Sequence, residues 1–469
     1  MSIKLFNTVT RKKEEFVPLK GKKVGFYVCG PTVYDYFHIG NARVFILFDV
    51  IRRYMKYRGY EVTFVQNFTD VDDKIIKRAN EMDITMEELA EKFIDAYLED
   101  AEALGIEKAD YHPRATQHIN EIIQLIEKLM EKGLAYQAGG DVYFDTTAFP
   151  EYGMLSQQNL EDLESGARIE VDERKKNPLD FALWKEAKEG EPFWESPWGK
   201  GRPGWHIECS AMSMKYLGET LDIHAGGPDL VFPHHENEAA QSQGATGRPF
   251  AKYWMHVGYL NIDKQKMSKS LGNILTVREM KQKIDPQVIR FFMLSAHYRS
   301  PINFSFELLE QAKAGLDRLT TALSSLEEAL NRAQELPLED RDLKMTGAVE
   351  EYKEKFIQSM DDDFNTADAL AALFELTREA NIYIKEEKLN TRVIQSILNT
   401  FRDLGDVLGL FAEQEKDQLD PDIEEMIEKR QEARKNKDWA AADSIRDQLL
   451  SRGIILEDTP QGVRWKRKN

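Results

Sequence analysis

The chain has 469 residues, of which 42% are hydrophobic and 31% charged, and it carries a formal charge of −18 at pH 7. Such a length calls for about two to four domains, and the acidic balance excludes a nonspecific nucleic-acid coat, which needs clustered Lys and Arg. No apolar run approaches the ~20 residues that span a bilayer, and MSIKLFNTVTRKKEEF lacks an apolar h-region, so neither a membrane span nor a secretory signal is expected.

KKVGFYVCG, 22–30, reads as a buried strand. NARVFILFDVIRRYMKYRGY, 41–60, has helical apolar spacing and ends at Gly59, a C-cap residue. EVTFVQNF is a second strand and DVDDKIIKRANEM a further helix, with two more helical runs to about residue 132. Strand–helix–strand implies a parallel pair with a crossover. Residues 134–200 change character: LAYQAGGDVYFDT looks like a hairpin, and Trp, Pro and Gly gather around EPFWESPWGKGRPG, as in an insertion that splits the sheet domain. The sheet resumes at LDIHAGG and YWMHVGYLNI. After Ser300 the chain reads as helical, with a polar break at AQELPLEDRDLKMTG; 420–453 reads as one more helix, and a short ending follows.

Four stretches carry chemistry. GPTVYDYFHIGN lies between strand and helix, where parallel sheets bind ligands and a helix N-terminus offers N–H groups to phosphate. Gly40 there lets a flat base approach, and His38 and Asn41 can donate to phosphate oxygens. Neither a Walker A loop nor a Gly-x-Gly-x-x-Gly turn is present. In DKQKMSKSLGN, Lys266 and Lys269 are three apart on a polar loop and can act as point charges on a polyphosphate. The two cysteines, Cys29 and Cys209, lie far apart in sequence with no disulfide-scaffold pattern, which suits a reducing cytoplasm. GGPDLVFPHHENEAAQS adds His234, His235, Glu236 and Glu238. Two thiolates, an imidazole and a carboxylate satisfy tetrahedral zinc. If Pro233 begins a helix, His234 and Glu238 share a face, but His235 and Glu238 are also neighbours, so spacing leaves the histidine open. From Lys429 onward, 11 Lys/Arg face 6 Asp/Glu, a locally basic tail on an acidic protein.

HIGN after the first strand and KMSKS after the last resemble the paired signatures of class I aminoacyl-tRNA synthetases, with Asn41 where the general motif has a second histidine. FYVCGPTVYDYFHIGNAR, GRPGWHIECSAM, FPHHENE and KMSKSLGN resemble the cysteinyl-tRNA synthetases, and the similarity runs from the first strand to the tail. The resemblance implies an α/β fold: a Rossmann-type parallel-sheet catalytic domain (1–133 and 201–300) split by a connective insertion (134–200). A helical linker and helix bundle (301–412) and a small C-terminal anticodon-binding domain (413–469) would follow. It implies Cys29, Cys209, His234 and Glu238 as ligands of one Zn²⁺, with Mg²⁺ arriving on ATP. His38, Asn41, Lys266 and Lys269 would serve catalysis and, with Gly40, bind ATP. Thr69, Trp205 and Asp229 would hold L-cysteine, and Arg434, Trp439 and Asp443 would contact tRNA(Cys), Trp439 by stacking. The expectation is a cytoplasmic, monomeric, AMP-forming cysteine–tRNA ligase. The alternatives are the related ligase that joins cysteine to an amino sugar, and a zinc-stabilised RNA-binding protein without catalysis.

Overall fold

The computed structural model describes residues 2–158, 174–262, 265–266, 274–411, 421–436, 438–459 and 462–467. The chain divides into two units, Met1–Leu410 and Phe411–Asn469.

The first unit opens with an antiparallel hairpin of β1 (Lys4–Asn7) and β2 (Lys12–Glu15). The apolar run KVGFYV then forms β3 (Lys23–Val28), which pairs parallel with β4 (Glu61–Gln66) across the crossover helix Ile39–Tyr57. That helix stops at Tyr57 with Arg58 as its C-cap; Gly59, expected as the cap, lies one residue beyond with φ +82, a left-handed conformation that glycine adopts without strain. Helices Asp73–Met82, Met86–Ala103 and Ile119–Glu131 lead to an antiparallel inserted sheet. Its strands run in the order β5 (Ala135–Ala138), β6 (Asp141–Phe144), β7 (Phe181–Glu186) and β8 (Gly201–Pro203). Trp184, Phe144, Leu183 and Ile126 fill the core beneath it.

The chain then returns to the parallel sheet through helix Trp205–Leu217. It adds β9 (Leu221–Gly226) on the other side of β3, and β10 (Ala251–His256) beyond, giving the order β10-β9-β3-β4. Side chains alternate along β3: Phe26 meets Phe48 of the crossover helix, while Tyr27 joins the cluster that holds Cys209. The two helices therefore cover opposite faces. The order reverses between β3 and β9, and their carboxyl ends frame the crevice where open α/β sheets take ligands.

YWMHVGYLNI is not one strand but two. Gly258 packs where an added Cβ would meet Ser300 O at 2.5 Å, and this close approach ends β10. β11 (Leu260–Ile262) pairs antiparallel with β12 (Gln265–Lys266) and parallel with β13 (Ile302–Phe304) in a separate small sheet. Helices Phe306–Arg332, Asp340–Asp361, Thr366–Tyr383 and Thr391–Leu408 form the bundle. The polar break before Asp340 is shorter than the composition implied, because Asp340 and Asp342 occupy the first turn of a helix, where carboxylates face its positive end. A buried knot joins the bundle to the sheet domain: Arg290 donates to Asp49 Oδ2 at 2.7 Å, to Leu408 O at 2.7 Å and to Gly105 O at 3.0 Å.

The second unit corrects the reading of 420–453 as one helix. Helices Pro421–Lys435 and Trp439–Ser451 are separate, because Asp438 caps the second through its carboxylate and the N–H of Ala441. β14 (Ile454–Thr459) and β15 (Gly462–Arg467) make a closing hairpin, and Ile427, Leu449, Ile454 and Leu456 form a small core.

Candidate active site and metal centre

Cys29 leaves the carboxyl end of β3, and Cys209 lies on the helix that packs beneath. A turn at Val231–His235 runs into helix Glu236–Thr246, which presents His234 and Glu238 on one face. The ligand atoms of Cys29, Cys209, His234 and Glu238 all fall within 4.8 Å of one another, and all four residues are buried. Cys29 Sγ and Cys209 Sγ are 4.0 Å apart, and His234 Nε2 is 3.0 Å from Glu238 Oε1. A second set, Cys29, His224, His235 and Glu238, meets the same limit. Here Cys29 Sγ is 3.3 Å from His235 Nε2, and His224 Nε2 is 3.1 Å from Glu238 Oε2.

Sequence spacing pointed to His235 as an alternative to His234, but not to the histidines around them. His206 Nδ1 lies 2.8 Å from His234 Nδ1; His256 Nε2 lies 2.8 Å from His235 Nδ1 and its Nδ1 2.7 Å from Thr8 Oγ1. Only His224, a histidine on the strand LDIHAG, could have signalled part of this array.

The cluster is strongly polarised. Burial raises the Cys29 thiol well above the usual range, and its bond to Cys209 adds to this. The same bond, aided by His234, lowers Cys209 to about 6. Burial opposes charge on His234, but Glu238 and Cys209 outweigh it and lift the ring to about 10. Burial would also raise Glu238, yet His224 and His234 hold it well below the usual carboxylate range. His206 and His235 are kept neutral by burial, as is His256, lowered to about 3. Two thiols, an imidazole and a carboxylate form a zinc-type donor set, and 4.0 Å between sulfurs is close to the edge of about 3.8 Å in a tetrahedron with 2.3 Å bonds. The residues fit that ion.

Around the cluster, Trp205 is 39% exposed and stacks on His234 with ring centroids 4.3 Å apart. Asp229 is exposed in the loop after β9, and Thr69 is buried where the β4 loop meets the β3 loop, its N–H bonded to Pro31 O at 3.2 Å. His38 is the N-cap of the crossover helix and accepts from Asn41 N–H through Nδ1 at 3.2 Å, with Gly40 between them in the first turn. The next residue, Ile39, bonds Leu275 O at 3.0 Å, which ties this loop to the chain following the lysine motif. Lys266 ends β12, and Lys269 lies outside the described residues. In the second unit, Trp439 is 58% exposed at the start of its helix, Asp443 is exposed one turn on, and Arg434 sits in the last turn of the preceding helix.

A profile described as "tRNA synthetases class I (C) catalytic domain" matches residues 15–314. Curated cysteine–tRNA ligases of Anoxybacillus flavithermus and Halalkalibacterium halodurans are 59% and 60% identical over 467 residues, covering 100% of this chain and of each relative. The chain belongs to the cysteine–tRNA ligase family. Two further profiles, a DALR domain and a cysteinyl-tRNA ligase anticodon-binding domain, match residues 355–412 and 416–465. The fold is shared with class I synthetases more widely. Mycobacterium tuberculosis methionyl-tRNA synthetase in complex with methionyl-adenylate aligns with a TM-score of 0.60 at 16% identity, covering 82% of this chain and 89% of that one. The LeuRS–tRNA–LeuAMS complex of Agrobacterium radiobacter K84 aligns at 0.61 and 12% identity, covering 84% and 85%. In this cysteine–tRNA ligase family member the donor cluster therefore lies in the sheet crevice of a class I fold.

Proposed function

We propose that the protein activates L-cysteine with ATP, giving cysteinyl-adenylate and pyrophosphate, and then passes the cysteinyl group to the 2′-hydroxyl of the terminal adenosine of tRNA(Cys). The observation that carries this reading is the meeting of Cys29, Cys209, His234 and Glu238 at the carboxyl end of β3, beside the N-terminus capped by His38. These four residues would hold one Zn²⁺. Zinc supplies there a borderline-soft acceptor that distinguishes a thiolate from the hydroxyl of serine, which stays protonated at neutral pH. That difference exceeds the ~1–3 kcal/mol a hydrophobic pocket obtains from one methylene.

The chain's own groups position the rest. Trp205 covers the substrate side chain, Asp229 accepts from its α-ammonium, and Thr69 lines the same rim. No general base is required, since the substrate carboxylate is already the nucleophile towards the α-phosphorus. His38 caps the helix through Nδ1, and its ring, Asn41 and the helix N-terminus face the same phosphates at Gly40. Lys266, Lys269 and the Mg²⁺ carried by ATP meet the charge that develops on departing pyrophosphate, so catalysis is positioning and charge stabilisation. Arg434 and Asp443 read anticodon edges and Trp439 stacks on a base. The protein acts as a monomer in the cytoplasm. Likeness over the full chain, including the anticodon-binding profile, favours this reading over the amino-sugar ligase. ATP–pyrophosphate exchange with the pure protein tests it: exchange should require cysteine, and its absence would leave only an RNA-binding role.

A further inference from the structure

Arg43 lies on the crossover helix, fully buried, and no acidic side chain pairs with it among the described residues. A charge kept in a protein interior without a counter-ion is costly unless hydrogen bonds replace its water. The acceptors here are backbone carbonyls of two segments distant in sequence. Nη1 donates to Tyr259 O at 2.9 Å and Nη2 to Ser300 O at 2.5 Å, with longer contacts from Nη2 to His297 O at 3.3 Å and Tyr298 O at 3.4 Å. Burial lowers the guanidinium to about 10, which leaves it charged at neutral pH. The two segments cross at the root of the small sheet. Gly258 is pressed against Ser300, its N–H bonds Tyr298 O at 2.7 Å, and Ile302 N–H bonds Tyr259 O at 3.0 Å. From this crossing β11 sets out, pairing with β12 so that Asn261 stands opposite Lys266. Arg43 therefore grips the near end of the lysine segment. The far end is gripped at the start of the same helix, where Ile39 N–H bonds Leu275 O and Val277 N–H bonds Phe37 O, each at 3.0 Å.

We propose that Arg43 is a positioning residue for the activation step: its buried guanidinium ties the root of the strand pair that carries Lys266 to the helix that carries His38 and Asn41. The inference rests on the phosphate roles proposed above for those residues. Arginine suits the task because its planar fork reaches carbonyls of both segments at once, whereas an ammonium is a point donor on a flexible stem. The fork fixes how far the lysine strand stands from the helix N-terminus, and a misplacement of about 1 Å costs about 10²-fold in rate. Cys209, His234 and Glu238 stand on other elements, so the metal donors should keep their places when the fork is lost.

Pyrophosphate exchange by the zinc-loaded full chain, with zinc content and melting temperature measured alongside, tests this on wild type, Arg43→Met, Arg43→Lys, Lys266→Ala, and Arg43→Lys combined with Lys266→Ala. Arg43→Met and Arg43→Lys should each lower kcat about 10²-fold, with cysteine KM and zinc content as in wild type. In the combined variant the loss should fall well short of the product of the two single losses, because Arg43 acts through the lysine strand. A lower melting temperature with unchanged kcat makes Arg43 packing alone, and a combined loss equal to that product uncouples it from Lys266; either overturns the proposal. Should Arg43→Met not fold, Arg43→Lys decides, since it keeps the buried charge and loses only the fork. Wild-type kcat in Lys266→Ala refutes the phosphate role on which the inference rests. A slow Lys266→Ala beside an Arg43→Lys of wild-type rate refutes the inference alone.

Discussion

Gly30 follows Cys29 at the point where the β3 and β4 loops cross, and its replacement by alanine separates packing from chemistry. A Cβ built there would lie 1.7 Å from the backbone carbonyl oxygen of Asn67, and real Cβ contacts essentially never fall under 3.0 Å, so the loops must part by at least 1.3 Å. Parting them loosens three hydrogen bonds: Gly30 N–H to Asn67 Oδ1 (2.9 Å), Thr69 N–H to Pro31 O (3.2 Å) and Val33 N–H to Thr69 O (3.1 Å). At about 1 kcal/mol each, roughly 3 kcal/mol of stability is at stake. Cys29 and Thr69 move with their loops, and a 1 Å misplacement costs about 10²-fold in rate. Gly30→Ala should therefore lower kcat/KM for cysteine in pyrophosphate exchange by about that factor, with zinc content reduced and the melting temperature down. Gly347→Ala is the control: its Cβ meets nothing within 4 Å in the middle of helix Asp340–Asp361, and it should stabilise by up to about 1 kcal/mol without touching activity. A Gly30→Ala protein with full zinc and unchanged kcat/KM would refute the reasoning.

Cys29→Ser and His234→Ala should each lower bound zinc and raise the cysteine KM more than about ten-fold, with the ATP KM little changed; full zinc in both variants sinks the ligand assignment. Asp49 is buried, which favours its neutral form, but Arg290, Arg53 and Arg52 outweigh this and hold it at about 2. A depressed carboxyl stabilises the fold fully above its unfolded pKa of about 3.9 and ceases to do so as the pH falls through about 2, a contribution of about 2–3 kcal/mol. Asp49→Asn should cost about 3–5 kcal/mol at neutral pH by leaving Arg290 buried without its carboxylate, read by urea denaturation, and should flatten stability below pH 4. Trp439→Ala should leave pyrophosphate exchange intact but cut kcat/KM for tRNA about ten-fold or more, the value of one stacked base; equal charging by both proteins returns Trp439 to a structural role.

The split parallel sheet was legible because VGFYV is a continuous apolar run of the kind buried on both faces, and because the hairpin chemistry of QAGGD interrupts the pattern before LDIHAG resumes it. The cysteine pair and FPHHENE were equally visible, since thiols are rare in this chain. What joins them was not. His224 reaches Glu238 across two elements, and Asp49 meets Arg290 over a separation of 241 residues, contacts that leave no periodicity behind. YWMHVGYLNI read as one strand because nothing local reveals that Gly258 is pressed against Ser300. Residues 420–453 read as one helix because RKNKD, the stretch before Trp439, holds no Gly or Pro to mark a break.

Removal and return of the metal tests most directly whether the buried donor cluster selects cysteine. Chelator-stripped protein, checked for retained helicity by circular dichroism, is assayed for pyrophosphate exchange with cysteine and with serine, then reloaded with one equivalent of zinc. Cysteine-dependent exchange should fall by more than about 10²-fold on stripping and return at one zinc per chain, with serine inactive throughout. Stripped protein that still folds and activates cysteine as well as the loaded form would contradict a metal-based choice of amino acid.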